Sequence, residues 1–406
     1  MRAYERMLNY IKVWTTSDSS SETVPSTSRQ FDLANLLVKE MKELGIEDAH
    51  VDDKCYVYGS IPATKGYEDK TKLGFIAHLD TTEDLTGKDV NPQIIENYDG
   101  EDIRLGESGK VIKTKDFPHL KNFKGRTIIT TDGTTLLGAD DKAGIAEIMT
   151  AVEIIQKENI PHGKICIGFT PDEEIGRGPH NFDVEKFGAD YAFTLDGELE
   201  GQIEYENFNA SSATFEIKGV NVHPGSAKDI MINSQLIAME INSILPVNET
   251  PATTEGYEGF YHLMETTGSV EYSKLSYIVR DHDGDKFEAR NELLRRIEKE
   301  MNEKYGEDTV TLTIKHSYRN MKEKIEPCMH LVENAKKATE AVGLEAKISP
   351  IRGGTDGAQL SFKGLPCPNL GTGGSAYHGA LEHISAEGMD KVTQIAIELV
   401  KIYAKK

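Results

Sequence analysis

Basic charge is scarce in this chain: 46 Lys and Arg stand against 67 Asp and Glu, a formal net charge of −21. A surface that acidic is repelled by phosphate backbones and anionic headgroups, which disfavours nucleic acid or a membrane as partner. Cysteine is scarcer still. Cys55, Cys166, Cys328 and Cys367 lie far apart with no Cys-x-x-Cys pair. Neither a thiolate zinc framework nor a disulfide scaffold is expected, and the thiols read as reduced ones. No apolar run approaches the ~20 residues of a spanning helix. The opening MRAYERMLNYIKVWTT reads as a short amphipathic helix, with no apolar core of a secretory leader. The expectation is a cytoplasmic protein.

What is present is enough chain for two or three domains, 406 residues with 38% hydrophobic content. A Ser/Thr-rich loop, TTSDSSSETVPSTS, precedes a helix with apolar residues at helical spacing from Phe31 to Leu44; Thr27 or Ser28 is expected to cap it. Short apolar runs at 73–77, 127–131, 164–169 and 190–195 read as strands, and DDKAGIAEIMTAVEIIQKEN as a helix between the second and third. Strand–helix alternation of this kind predicts an α/β sheet with its site at the strand carboxyl ends. From about residue 208 the pattern changes. SSATFEIKGV, INSQLIAMEINSILP, SKLSYIVRDHD, KFEARNELLRRIEKEMNEKYG and TVTLTIKHS predict an inserted four-stranded α+β domain over 208–320. The first domain then comprises 1–207 and 321–406.

Each apolar run of the first domain ends in acid. GFIAHLD brings His78 and Asp80 to one face of a strand end, since side chains at i and i+2 project together. Asp140 and Asp141 follow in LLGADDKAG, Glu173 and Glu174 in TPDEEIGRG, and Asp196 in FTLDGE. Each has a bland reading. An Asp at a helix entry caps it, paired glutamates on a turn are solvated, and a strand-end Asp makes a turn. Together they are carboxylates that repel unless a cation lies between them. Hard oxygens and imidazole without thiolate suit catalytic Zn, Mn or Co, and the donor count exceeds one ion's need. One glutamate can ligate while the other acts as general base. A second imidazole is required, and spacing does not choose among His119, His162, His180, His223, His378 and His383.

The ordered series GFIAHLDTTED, LLGADDKAGIAEIM, TPDEEIGRG, TLDGE, HPGSAKDIMINS, RGGTDGA and GGSAYHG resembles the dizinc aminopeptidase, carboxypeptidase and aminoacylase superfamily, and within it the tripeptide aminopeptidases. The likeness runs over essentially the whole chain. It implies a zinc-peptidase-like catalytic domain, with a mixed central sheet flanked by helices, and an inserted lid or dimerisation domain through which a homodimer can form. It implies two zinc ions, with Mn or Co as substitutes. His78, Asp140 and Asp196 would hold one; Asp140 would bridge; Glu174 and His378 would hold the other. Asp80 would orient His78 and Glu173 would be the general base. On the inserted domain, His223 resembles an oxyanion-stabilising histidine, and Arg280 an arginine that pairs with a substrate carboxylate. Arg352, in RGGTDGA, is a further candidate for carboxylate recognition; that loop lacks the Lys-Ser/Thr of a phosphate cradle.

Small peptides are the expected substrates, and the expected reaction is removal of the N-terminal residue from tripeptides. Competing readings are a dipeptidase, N-acyl amino acid hydrolase or carboxypeptidase on the same metal core, a non-catalytic peptide- or metal-binding protein, and a Mg-dependent phosphoryl-transfer enzyme. The last is disfavoured by two imidazole donors and the missing phosphate loop.

Overall fold

The computed structural model describes residues 1–405. The chain divides into two compact units, Met1–Tyr205 with Glu323–Ser349 and Thr355–Lys406, and Glu206–Lys322 with Pro350–Gly354.

The first unit is built on an eight-stranded mixed sheet. Its order is His50–Val51, Val57–Ile61, Ile165–Thr170, Leu73–His78, Tyr191–Gly197, Asn369–Gly371, Gln202–Glu204 and Lys347–Ile348. Strands 165–170, 73–78, 191–197 and 369–371 run parallel, while 57–61 is antiparallel to its neighbour. Strands 73–78 and 165–170 are buried at every residue, which is why they read as unbroken apolar runs. Parallel strands finish at one edge of a sheet. His78 therefore sits beside Thr170, its register partner, with Asp196 at the end of the strand on the other side.

The helix Ala139–Lys157 lies against strands 73–78 and 191–197, with helices Ala3–Tyr10 and Ala386–Ala404 packed beside it. Its small residues are why it can lie so close: a Cβ at Gly144 would overlap the Leu195 carbonyl oxygen.

Two expectations change. Ile128–Thr131 is a strand, but it belongs to a separate antiparallel sheet with Pro92–Ile95, His383–Ser385 and Gly374–Ser375. An apolar run specifies burial and leaves the hydrogen-bonding partner open. The helix Gln30–Glu43 carries no side-chain cap at Arg29. Thr27 instead donates to the Thr16 carbonyl at 2.8 Å, and Ser26 is turned toward Asp172. The Ser/Thr loop is spent on tertiary contacts.

The second unit is a four-stranded antiparallel sheet in the order Phe260–Gly268, Tyr272–Asp281, Asn209–Lys218, Val310–Tyr318. Strand 260–268, whose exposed METT segment gives little apolar signal, is the one not singled out in the sequence. Strict alternation along 272–281 turns Leu275, Tyr277 and Val279 inward. They meet Ile237 and Ile241 of helix Ser234–Ile244, and Leu294 and Ile297 of helix Gly284–Tyr305.

Candidate metal centre

Five of the expected ligand side chains converge at the carboxyl edge of the first unit's sheet. His78 is buried at the end of its strand, with Nε2 2.9 Å from Asp140 Oδ1 and 3.3 Å from Asp196 Oδ1. His378 places its Nε2 3.3 Å from Asp140 Oδ2 and 2.9 Å from Glu174 Oε2. Asp140 thus turns one oxygen to each imidazole. Glu174 Oε1 is buried with no hydrogen-bond partner. His119 and His383, by contrast, face each other, Nε2 to Nε2 at 2.9 Å, and His162 is bonded to the Gly163 carbonyl.

Asp80 is fully buried and serves two neighbours. The His78 Nδ1 lies 3.1 Å from the Asp80 carbonyl and 3.4 Å from its Oδ1. The Asp80 carboxylate also accepts the backbone amides of Glu173, at 2.9 Å, and Glu174, at 3.2 Å. One anion therefore aims the imidazole and holds the short 3-10 turn Glu173–Ile175. Asp141 takes the capping role. Its Oδ1 accepts the Gly144 amide at 3.2 Å and its Oδ2 accepts the His78 amide at 3.1 Å. An Asp141 oxygen also lies within reach of His78 and Asp196. With both oxygens committed to amides, Asp141 is the poorer metal donor of the pair.

Several residues at the site were not singled out in the sequence. Asp172, in a left-handed conformation before Glu173, accepts from the Ser26 amide and hydroxyl and from Gln30 Nε2, tying the VPST segment to the glutamate turn. Asp356 of GGTDGA is buried and accepts the Thr170 hydroxyl at 2.6 Å, with its Oδ1 unpartnered. Asp84 reaches His378 Nδ1 at 3.3 Å. Glu382 accepts amides from the loop that carries Asp140. In each case the carboxylate's partner lies far away in sequence, so no local pattern announces it.

The electrostatics are those of an anion cluster short of cations. Burial, with the nearby Asp196, pushes the Glu173 carboxyl far above the usual range. Burial and the nearby Asp140 take Glu174 up to about 8. Burial takes Asp196 to about 6. Hydrogen bonds to Asp140 and Glu174 lift His378 to about 11. Burial opposes a charged His78, yet the surrounding aspartates Asp196, Asp140 and Asp80 raise its proton affinity well above normal. Divalent ions bound among these groups would neutralise the same charges. Two imidazoles, a carboxylate shared between them and two further carboxylates, without thiolate, fit a pair of catalytic divalent ions.

On the second unit, His223 is exposed, and its Nδ1 accepts the Gly225 amide at 3.1 Å. Arg280, at the end of its strand, lies over the Tyr318 ring and donates to the Val279 carbonyl at 3.1 Å. Arg352 donates to the carbonyls of Gly256, at 2.7 Å, Glu258 and Thr254, and to the Thr254 hydroxyl. It also stacks on Phe208 and Phe260. Those contacts make Arg352 a clamp on the 254–258 loop, with its Nη1 and Nη2 groups directed at that loop.

An α/β sheet that gathers imidazoles and carboxylates at its strand ends in this way is the framework of a metallohydrolase. The chain belongs to the peptidase family M20/M25/M40, whose family model matches residues 123–402. It is 54% identical over 406 residues to the peptidase T of Clostridium perfringens, covering all of both chains. It is likewise 54% identical over 399 residues to the peptidase T of Bacillus subtilis, covering 98% of this chain and 97% of that one. Among solved structures, the fold is similar to the aminopeptidase PepT of Bacillus cereus, with a TM-score of 0.78 at 22% identity over 100% and 98% of the two chains. It is also similar to a Bacillus subtilis protein described as a dinuclear metal binding peptidase of the M20 family, with a TM-score of 0.66 at 14% identity over 99% of each. The chain is a peptide-bond hydrolase of this family.

Proposed function

We propose that the chain is a tripeptide aminopeptidase of the cytoplasm that works with two divalent ions, zinc by preference and Mn or Co as substitutes. The observation that carries the reading is Asp140, whose Oδ1 and Oδ2 lie against different imidazoles, at 2.9 and 3.3 Å. A bridging carboxylate needs that disposition. In this reading His78 and Asp196 complete one ion's ligands, and Glu174 and His378 the other's. Bound ions would supply Lewis-acid polarisation of the carbonyl and a water acidic near neutral pH.

The chain's own groups supply the rest. Glu173, half-buried and with high proton affinity, takes a proton from the attacking water and returns it to the leaving amine. Asp80 holds its amide and that of Glu174. With Nδ1 occupied by the Gly225 amide, a neutral His223 carries its proton on Nε2 and offers it as an oxyanion donor. Arg280 is the arginine that reads the substrate's terminal carboxylate, its guanidinium lying over Tyr318. The second unit acts as lid and dimerisation surface, on which Met239, Leu236 and Met264 are exposed.

The measurement that decides between this activity and its relatives is a panel of di-, tri- and tetrapeptides with free and blocked amino termini. Tripeptides with a free amine should be cleaved at the first bond. Comparable hydrolysis of N-blocked peptides would replace the reading with an acylase or carboxypeptidase, and E173Q serves as the inactive, metal-retaining control.

A further inference from the structure

Glu382 lies four residues beyond His378, and its side chain is only 1% exposed. Among the described residues no Lys, Arg or His pairs with it. The hydrogen bonds its carboxylate accepts all come from backbone amides, and the buried Lys142 ammonium, bonded to the Val13 carbonyl, acts on it only at longer range. Oε2 accepts from Leu137 at 2.6 Å and Gly138 at 2.9 Å, and Oε1 accepts from Asp140 at 3.0 Å. These amides converge because Gly138 adopts a left-handed conformation, φ 79°, at the entrance to the helix. Amides before a helix have no partners within it. A carboxylate placed there forms charge-assisted bonds and fixes the loop.

The third of those amides belongs to Asp140 itself. The segment that supplies the anion also supplies His378, and the Glu382 amide closes a turn onto the Gly379 carbonyl at 3.2 Å. The two segments therefore meet twice. Glu382 grips the backbone of the 137–140 loop, and His378 Nε2 lies 3.3 Å from the Asp140 side chain. We propose that Glu382 is a positioning residue for the metal centre: by holding the Asp140 amide it sets the bridging carboxylate against His378, and so sets the affinity of the site for its ions. This rests on the reading of Asp140 as the bridge.

Glu382→Gln tests it, because an amide is nearly the same shape yet presents an acceptor at only one end. Either Asp140, or Leu137 and Gly138, then faces an N–H group. Wild type and E382Q would be stripped, titrated with Zn and Co against a chromophoric chelator, and followed by the cobalt absorption spectrum and by circular dichroism. Wild type is expected to bind two ions. E382Q is expected to keep its secondary structure, bind ~10–100-fold more weakly and show an altered cobalt spectrum. A control, Glu204→Gln, removes a buried glutamate bonded to Asn369 and should move neither readout. E382Q with wild-type affinity and spectrum overturns the inference while leaving the bridge intact. Fewer than two ions on wild type overturns the bridge reading and the inference with it. Should E382Q fail to fold, hydrogen exchange of metal-free wild type decides: peptides covering 132–141 should be protected, and free exchange there refutes the grip of Glu382 on the loop.

Discussion

At the scale of single residues, one chemical group does several different jobs according to what its oxygens meet. Asp140 faces imidazoles, Asp141 faces amides, and Asp80 faces an imidazole and two amides. Neighbours in sequence are therefore not interchangeable. Away from the centre, Glu204 shows what burial does without such compensation. It is 8% exposed, accepts one hydrogen bond from Asn369 at 2.8 Å, and is pushed up by burial to about 7. An acid whose folded-state value lies above its unfolded one, ~4.3, favours folding fully below ~4.3. That contribution is lost as pH rises through about 7. Glu204→Gln keeps an acceptor for Asn369 and removes the titration. It should match wild type near pH 5 and exceed it by ~2–3 kcal/mol at pH 8, read from denaturant melts at both pH values. An unchanged pH dependence would show that Glu204 ionises freely in the fold.

At the scale of elements, the helix Ala139–Lys157 joins the sheet to the metal centre. Its periodicity was legible in the sequence; its closeness to strand Tyr191–Gly197 was not. Gly144 packs against the Leu195 carbonyl, one residue before Asp196. Gly144→Ala gains up to ~1 kcal/mol of helix propensity, but overpacking at a backbone contact costs ~1–3 kcal/mol. The expected net result is a lower melting temperature together with weaker metal binding, because relief of the overlap moves Asp196. A variant as stable as wild type with unchanged metal affinity would show that the helix is free to lift. The same scale explains the missed strand Phe260–Gly268: only Phe260 and Tyr261 are buried, so period-two alternation hardly develops.

At the scale of the whole molecule, the charge of −21 and the crowding of carboxylates at one centre together predict that the metal-free protein is under-stabilised. An ion that binds only the folded state adds ~2.7 kcal/mol when present at a hundred times its dissociation constant. Chelation should therefore lower the melting temperature, and Zn, Mn or Co should restore it. A melting curve indifferent to metal would remove the two-ion centre from this account.

The apolar runs with acids at their ends were determined by the sequence alone, because a strand buried on both faces must be apolar and a polar side chain can return only where it ends. That is why His78, Asp80, Glu173, Glu174 and Asp196 could be picked out from the residues, while His378 needed the family likeness: it lies on a loop in the left-handed region, φ 63°, with no periodic pattern around it. The family likeness favoured Asp140 over Asp141 as ligand; tertiary structure alone decided that Asp141 is committed to the His78 and Gly144 amides, that Ser26 serves Asp172, that Arg352 donates to the 254–258 loop, and that Glu382 grips the 137–140 amides. Each of those depends on the direction of a hydrogen bond between segments far apart in the chain, and hydrogen bonds, unlike hydrophobic burial, leave no period in a sequence.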